Sequence, residues 1–356
     1  MKFACYSAWD QLPVSANALF EQAAKDNIFF SRPWFESLAA DALDDDHTLL
    51  LACVVNGAKV MAILPLMRSA GNAKTLYSLK HGYTPLYSLL LADDDRERVL
   101  ACLAQALNQL PVNGLLLEPV ADDDTKLKSL QRSLESTGFR CEYRFRHYNW
   151  IYRLQGKSYD EYLAERPARL RNTISRKQRK LEREHGFEIR LFVGDEAPGA
   201  MADYTAVFNA SWKQNEFSNV AFMSRIVESF SRAGWSRLAI LYVKEQPVAA
   251  QLWFVHHRKA SIFRLAYDEN WRQYSPGSIL TRFLMKYVID TDKVEEIDFL
   301  TGNDAYKQDW MSERRERFLL SCVKSARPAS KNERLVESLL RALRLISKRP
   351  KRAGLD

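Results

Sequence analysis

The sequence predicts an α/β (α+β) protein of two lobes, each a mixed, mostly antiparallel β-sheet flanked by helices. Between Arg237 and Met311, three β-favouring apolar runs at 238–243, 248–255 and 260–267 precede a helical pattern and a further strand. Residues 1–150 repeat this order coarsely, without a residue-level repeat. A chain of 356 residues is long enough for two such units.

The N-terminal elements follow from hydrophobic period and turn residues. Asn56-Gly57 between two apolar runs favours a tight hairpin turn, and Gly138 favours the end of a helix. The predicted elements are strands at 49–55 and 59–67, a helix at 96–110, a strand at 115–118, a helix at 125–136 and a strand from Phe139 onward.

A basic connecting region follows at 158–186. Ser158 and Glu161 have the spacing of a capping box, Pro167 interrupts the helix, and Gly186 is placed to end it. Eight Lys or Arg residues lie between Arg166 and Arg183. They form either a phosphate-binding face for tRNA, a nucleotide cofactor or anionic lipid, or a solvated helix face held by the apolar residues between them.

The remaining elements lie on either side of the three central strands. The pattern predicts one or two helices at 201–232, a loop at 268–278, a helix at 279–289 and a strand at 296–300.

The net charge of +8 is concentrated at the C-terminus, since residues 324–356 hold ten Lys or Arg against three acidic residues. The pattern at 331–345 is amphipathic and basic, which suits either an anionic membrane surface or a helix docked on the protein's own core or another subunit.

Five widely spaced cysteines predict neither a disulfide framework nor a zinc knuckle, and favour a reducing compartment. The first ten residues lack the apolar core of a signal peptide, and the chain has no apolar run long enough to cross a bilayer. We therefore expect a cytoplasmic protein, with peripheral contact at the inner membrane face through the tail.

Three segments resemble the GNAT acyltransferases: Gln246–Trp253 on a central strand, Tyr274–Leu280 at a helix start, and Asp298–Met311. The resemblance is to the branch that includes CelD-like acetyltransferases of bacterial polysaccharide synthesis and Fem-type peptidoglycan aminoacyltransferases. It covers 155–325 well and the first 150 residues weakly. It implies tandem GNAT-like lobes: a degenerate lobe at 1–154, an acyltransferase lobe at 155–325, and a basic amphipathic tail at 326–356.

The same resemblance implies a donor site for acetyl-CoA or another acyl-CoA. Free N–H groups where a helix starts attract a pyrophosphate, and the predicted residues are Ser275, Gly277 and Ser278 with Arg272 as a helper. GNAT enzymes usually place more glycines here, and this loop has one. An ordinary capped helix needs the same residues. In the GNAT fold a central strand pairs with the pantetheine arm, which implies a role for Val248 and Ala249.

The catalytic candidates lie in the third segment. Amine acylation needs a base, an oxyanion stabiliser and an acid. The resemblance to Fem-type enzymes implies Lys307 as the oxyanion stabiliser, with Asp304 as the base and Tyr306 as the acid. The alternative is ordinary turn chemistry in a segment rich in Gly, Asn and Asp.

Four further residues are candidates for binding the acceptor: Gln251, Tyr267, Asp268 and Trp212. Gln251 is a polar residue on an apolar strand, so it points into the acceptor pocket, to solvent or to a buried partner. Trp212 is either a core aromatic or a ligand contact.

The resulting hypothesis is an acyltransferase that acts on an amine or hydroxyl of a sugar or cell-envelope precursor. No metal is expected, because the histidines and cysteines lack metal-ligand spacing. Two alternatives stay open: a Fem-type aminoacyltransferase that uses aminoacyl-tRNA, and a non-catalytic scaffold in polysaccharide assembly.

Overall fold

A computed structural model of the chain describes residues 1–212 and 219–325. The strands are β1 (Lys2–Tyr6), β2 (His47–Asn56), β3 (Lys59–Ser69), β4 (Thr75–Ser78), β5 (Leu90–Leu91), β6 (Gly114–Ala121), β7 (Phe139–Arg153), β8 (Glu188–Val193), β9 (Ser236–Val243), β10 (Gln246–His256), β11 (Lys259–Tyr267), β12 (Glu296–Thr301) and β13 (Glu313–Lys324). The helices are α1 (Ala16–Asp26), α2 (Arg32–Asp41), α3 (Arg96–Gln109), α4 (Thr125–Ser136), α5 (Tyr159–Ala164), α6 (Ala168–His185), α7 (Met201–Asn209), α8 (Val220–Arg232), α9 (Pro276–Asp290) and α10 (Ala305–Trp310).

These strands join into one mixed sheet with a repeated order. The order is β1-β2-β3-β4-β6-β13-β7-β12-β11-β10-β9-β8, with β5 beside β3. The first half-sheet is β1, β2, β3, β4, β6 and β13, and the second, read inward from the other edge, is β8, β9, β10, β11, β12 and β7. In each half the fourth and fifth strands are parallel and the other pairs are antiparallel. The predicted fold class of two similar lobes is confirmed.

The two half-sheets exchange their last strands. β13, from the C-terminal part of the described chain, pairs with β6, while β7, from the N-terminal part, pairs with β12. β7 and β13 pair with each other along their length at the centre. The boundary predicted at residues 154 and 155 falls directly after β7, so neither segment holds a complete half-sheet.

The parallel pair of the first half-sheet is closed by its own chain. β4 and β6 pair at only three positions and then separate. The segment 79–88 fills the gap: the backbone N–H of Leu79 donates to the Pro65 carbonyl and that of Tyr87 donates to the Pro119 carbonyl. Tyr87 is fully buried. The first half-sheet is therefore closed at the position where its parallel strands separate.

Local sequence signals set most helix boundaries. Ser158 and Glu161 form the predicted capping box at the start of α5. Pro167 is the N-cap of α6 and Gly186 is its C-cap. The region 201–232 forms α7 and α8. Helix α9 begins at Pro276, three residues before the predicted start, because proline suits the first helical turn. The predicted tail at 326–356 lies outside the described residues.

The expectation that the widely spaced cysteines form no disulfide framework is wrong for one pair. Cys141 on β7 and Cys322 on β13 are directly paired residues, and a disulfide joins them. Their separation of 181 residues along the chain hid the pairing, because only the strand exchange brings them together.

A thiol count tests this bond. We expect three reactive thiols, not five, in the unreduced protein after denaturation, since Cys5, Cys53 and Cys102 are free. Cys322→Ser should raise the count to four, and Cys102→Ser should lower it to two. Five thiols in the unreduced wild type would contradict the bond.

Candidate active site

The second half-sheet opens where the first is closed. β11 and β12 pair only from Lys259 with Glu296 to Ser261 with Asp298. Beyond these positions they separate, and a cavity of about 520 Å³ lies between residues 262–265 of β11 and 299–301 of β12. The other edge of β11 stays paired with β10. The cavity therefore faces a strand edge that β12 leaves without a partner.

A buried polar cluster bends the end of β12 away from β11. The Asp298 carboxylate accepts hydrogen bonds from the Leu300 backbone N–H, from Asn149 on β7 and from Arg315 on β13. Leu300 has φ +52°, and the register with β7 shifts between Asp298 and Thr301. Because β7 and β13 are the exchanged strands, both halves shape this opening.

Lys307 lies in the cavity wall and is only 4% exposed. Its ammonium donates to the carbonyls of Phe299 at 3.0 Å and Thr301 at 2.5 Å, and lies 3.7 Å from the Asp304 carboxylate. Gly302, at φ +120°, makes this possible, since a Cβ there would lie 3.1 Å from the Lys307 ammonium and 2.9 Å from the Asp304 carboxylate. The structure thus places a buried positive charge at the splayed end of β12.

The other two catalytic candidates line the same cavity. Asp304 precedes α10 with its carboxylate largely exposed, and Tyr306 is 43% exposed. Desolvation of the Tyr306 hydroxyl raises its pKa, and the negative charge of Asp304 raises it further. The hydroxyl therefore stays protonated at neutral pH. Lys307, Asp304 and Tyr306 are brought together as predicted, and their catalytic roles stay predictions.

Aromatic side chains form the far wall. Trp212 lines the cavity, is 44% exposed and packs on Tyr267 with ring centroids 4.6 Å apart. Tyr267 in turn contacts the start of α9, where a Cβ on Gly277 would lie 3.2 Å from the ring. The cavity and the predicted pyrophosphate loop are therefore neighbours.

Three of the predicted site residues are placed differently. Val248 and Ala249 lie on β10, which is paired with β9 and β11 on its two edges, so this strand has no free edge for a pantetheine arm. Gln251 is fully buried; it donates to the Gly277 carbonyl and accepts from the Trp253 indole N–H. The alternative of a buried partner is the one observed for Gln251.

Three more of the predicted site residues lie in the segment between β11 and α9. Asp268 is buried and accepts a hydrogen bond from the Asn270 N–H at 2.9 Å, which starts the helical turn at Glu269–Tyr274. Arg272 on that turn is exposed. Ser275 has φ +54°, and its carbonyl accepts from the N–H groups of Ser278 and Ile279.

The sequence analysis missed residues that reach the cavity from a distance. Gly82, Tyr83 and Pro85 come from the segment that closes the first half-sheet, and Arg264 comes from β11. The guanidinium of Arg264 lies 4.9 Å from the centre of the Tyr83 ring. No local pattern marks these residues, because their position depends on the contact between the two halves.

His147 was also missed, and it gives a test by pH. Its Nε2 lies 3.4 Å from the Thr301 hydroxyl, and burial, followed by the charge of Arg317, lowers its pKa from 6.5 to about 4. The unfolded chain binds this proton more readily. The free energy of unfolding should therefore be level above pH 6.5 and fall as the pH drops towards 4.

Urea unfolding from pH 7 to pH 4 measures this dependence. His147→Asn should lessen the fall in the midpoint, because it removes the group whose proton the unfolded chain binds more readily. Parallel curves for wild type and His147→Asn would contradict the assignment.

Among the described side chains, Asp44, Asp46 and His47 are the one group close enough together to share a metal ion. They lie where β2 begins, in the first half-sheet, and do not line the cavity. No helix of the described chain is both long and apolar enough to span a bilayer.

The chain is similar to known proteins in domain and in fold. Residues 168–308 match the acetyltransferase (GNAT) domain family. The structure of FemX has a TM-score of 0.62 at 11% identity, covering 95% of this chain and 99% of FemX. The C-terminal domain of a putative lysylphosphatidylglycerol synthetase from Agrobacterium fabrum has a TM-score of 0.55 at 13% identity, covering 96% of this chain and all of that chain (100%). No curated protein sequence matches.

A conserved protein of unknown function from Bacteroides thetaiotaomicron has a TM-score of 0.56 at 11% identity, covering 90% of this chain and 100% of that one. At these identities the similarity concerns the fold. Because it extends over nearly the whole length of each chain, both halves belong to the shared architecture.

Proposed function

We propose that the chain is an acyltransferase that moves an acyl group, most simply acetyl from acetyl-CoA, to an amine or hydroxyl of a sugar or cell-envelope precursor. The match of residues 168–308 to the acetyltransferase (GNAT) domain family supports the acyltransferase activity. The observation that carries this proposal is the cavity between β11 and β12, which gathers Lys307, Asp304 and Tyr306. The first half-sheet has no equivalent opening in its described residues, so we assign the reaction to the second.

The donor arm fits the open edge of β11. Amide groups of an extended ligand can hydrogen-bond to a strand edge that lacks a neighbour, as an added strand would. Residues 262–265 line the cavity beyond the last pair of β11 with β12, whereas both edges of β10 are paired. The pantetheine role implied for Val248 and Ala249 therefore moves one strand along, to β11.

The cavity supports a direct transfer. The acceptor nitrogen or oxygen attacks the thioester carbonyl, its proton goes to Asp304, and the buried charge of Lys307 stabilises the oxyanion. The C–S bond then breaks, and Tyr306 donates its proton to the departing thiolate. The raised pKa of Tyr306 keeps that proton available at neutral pH.

The acceptor would enter against the aromatic wall. Trp212 presents an exposed ring, and Tyr83 and Pro85 face it from the other half of the molecule. Aromatic faces of this kind pack well against the apolar face of a sugar ring. We place the reaction on the cytoplasmic side, with the basic tail at an anionic membrane surface.

Aminoacyl transfer from aminoacyl-tRNA is the second candidate, favoured by the fold shared with FemX and by the basic helix α6. It uses the same carbonyl chemistry. Its mark would be a salt-sensitive affinity for tRNA that weakens when Arg176, Lys177, Arg179 and Lys180 are replaced.

Isothermal titration with acetyl-CoA tests the donor. Wild type should bind in the micromolar range, and Leu265→Trp, which fills the cavity from β11, should weaken binding at least roughly tenfold, because the ligand loses the space it occupies. Leu191→Trp makes the same change on the edge strand β8 and should bind as wild type. A folded wild type that binds no acetyl-CoA would overturn the acyl-CoA donor, and equal binding by Leu265→Trp would overturn the position of the site.

A further inference from the structure

The loop before α9 has few groups to offer a phosphate. Pro276 has no N–H, and the N–H groups of Ser278 and Ile279 both donate to the Ser275 carbonyl. The single glycine, Gly277, faces the Tyr267 ring. A phosphorylated donor bound at this loop therefore needs positive charge from elsewhere.

Helix α6 lies against this loop. Lys177 donates to the Gln273 carbonyl, and the Tyr274 hydroxyl donates to Glu184 at 2.9 Å and lies 2.8 Å from His185 Nε2. Farther along, α6 packs on α9, where Arg282 contacts Ser175. The basic helix thus runs beside the first two turns of the helix that follows the loop.

A second cavity, of about 320 Å³, lies between α6 and α9. It is lined by Ser175, Gln178, Arg179, Glu182, Phe187 and Arg282. Among these described residues Glu182 is the one acidic side chain, so the lining carries a net positive charge.

The hydrogen-bond partners of the two arginines in this cavity are neutral groups. Arg282 donates to the Tyr159 hydroxyl and the Ser175 hydroxyl at 3.3 Å each, and to the Gln178 amide oxygen at 3.5 Å, all of them neutral. Arg179 donates to the Ser175 carbonyl at 3.3 Å.

Some other basic residues of the same helices are instead paired with carboxylates. Arg183 on α6 lies 2.9 Å from Glu184, and Lys286 on α9 lies 3.0 Å from Asp290. The half-buried Arg282 and the exposed Arg179 are both held by neutral partners in this cavity. Guanidinium groups in such a position are well suited to an anion, and phosphate matches their planar geometry.

We propose that Arg179 and Arg282 form a phosphate-binding site between α6 and α9 that holds the phosphorylated nucleotide end of the acyl donor. The proposal rests on the proposed function. The phosphate can be the 3′-phosphate of coenzyme A or a phosphodiester near the 3′ end of a tRNA, which share this chemistry. In either case α6 compensates for the glycine-poor loop.

Binding measurements on the full chain test the site and tell the two sources apart. CoA, 3′-dephospho-CoA and bulk tRNA are titrated into wild type, Arg282→Gln, Arg282→Lys and Arg179→Gln. Lys286→Gln and Arg183→Gln are the matched controls, since each removes one positive charge from the same helix outside the cavity. Circular dichroism shows whether each variant is folded. If Arg282→Gln does not fold, Arg179→Gln still tests the site, because Arg179 is exposed.

If the phosphate is that of CoA, Arg282→Gln and Arg179→Gln should each weaken CoA binding roughly tenfold or more and leave 3′-dephospho-CoA binding unchanged. Arg282→Lys should bind CoA more tightly than Arg282→Gln, because it keeps the positive charge. If it belongs to tRNA, wild type should bind tRNA and not CoA, and each variant should reduce the salt slope by about one. Equal binding of CoA by wild type and variants overturns this site and leaves the proposed function standing. If wild type binds neither ligand, both the site and the proposed function are overturned. If the control variants lose as much affinity as the Arg282 and Arg179 variants, the site alone is overturned.

Discussion

A chain that ends after Ser312 should fail to fold, whereas a chain that ends after Ser325 should fold as the full-length protein does. The first truncation removes β13, and the second removes only residues beyond it. β13 lies between β6 and β7 and pairs with both. Its loss therefore leaves one edge of β6 and one edge of β7 without a partner and disconnects the two half-sheets.

The size of the effect follows from what β13 buries. Leu320 and Cys322 are fully buried and Leu319 nearly so. Burying one leucine contributes roughly 1.5–3 kcal/mol, and a domain's total stability is only about 5–15 kcal/mol. Losing these side chains together with two ladders of backbone hydrogen bonds should exceed that margin.

Circular dichroism melting of the two truncations decides the matter. We expect a cooperative transition for the chain ending at Ser325 and none for the chain ending at Ser312. A cooperative transition for the shorter chain would mean that the first half-sheet is stable without the exchanged strand.

The strand exchange also marks the limit of what the sequence predicts. Alternating and continuous apolar runs identify β9, β10 and β11 because those signals are local. Which strand lies beside which is decided by contacts far apart in sequence, such as Cys141 against Cys322. These three strands were therefore predictable, and the exchange of β7 and β13 was not.

The same division holds at the site. Lys307, Asp304 and Tyr306 are close in sequence, so one turn and one short helix bring them together. Tyr83, Arg264 and His147 come from three other parts of the chain and converge only in the folded molecule. The family resemblance implies β10 as the pantetheine strand, whereas the cavity lies where β11 diverges from β12.

Lys307→Met should lower kcat for acyl transfer by roughly 100-fold or more, the loss seen when an enzyme loses one group that stabilises an oxyanion. Methionine keeps much of the side-chain volume and removes the charge. It also leaves the carbonyls of Phe299 and Thr301 without this donor, which should destabilise the fold by about 1–3 kcal/mol for each buried group.

Three measurements separate the catalytic role of the Lys307 charge from its structural role as a donor to the Phe299 and Thr301 carbonyls. They are kcat, from release of the CoA thiol with amine and hydroxyl acceptors, the affinity for acetyl-CoA, and Tm. A catalytic role predicts a large loss in kcat with acetyl-CoA affinity within about threefold of wild type, since the ammonium acts mainly on charge that develops in the transition state. Lys286→Met, at an exposed lysine on α9, should leave kcat and acetyl-CoA affinity unchanged. If kcat of the folded Lys307→Met variant stays near that of wild type while Tm and acetyl-CoA affinity fall, Lys307 serves only to hold the splayed end of β12, and the oxyanion must be stabilised by another group in the cavity.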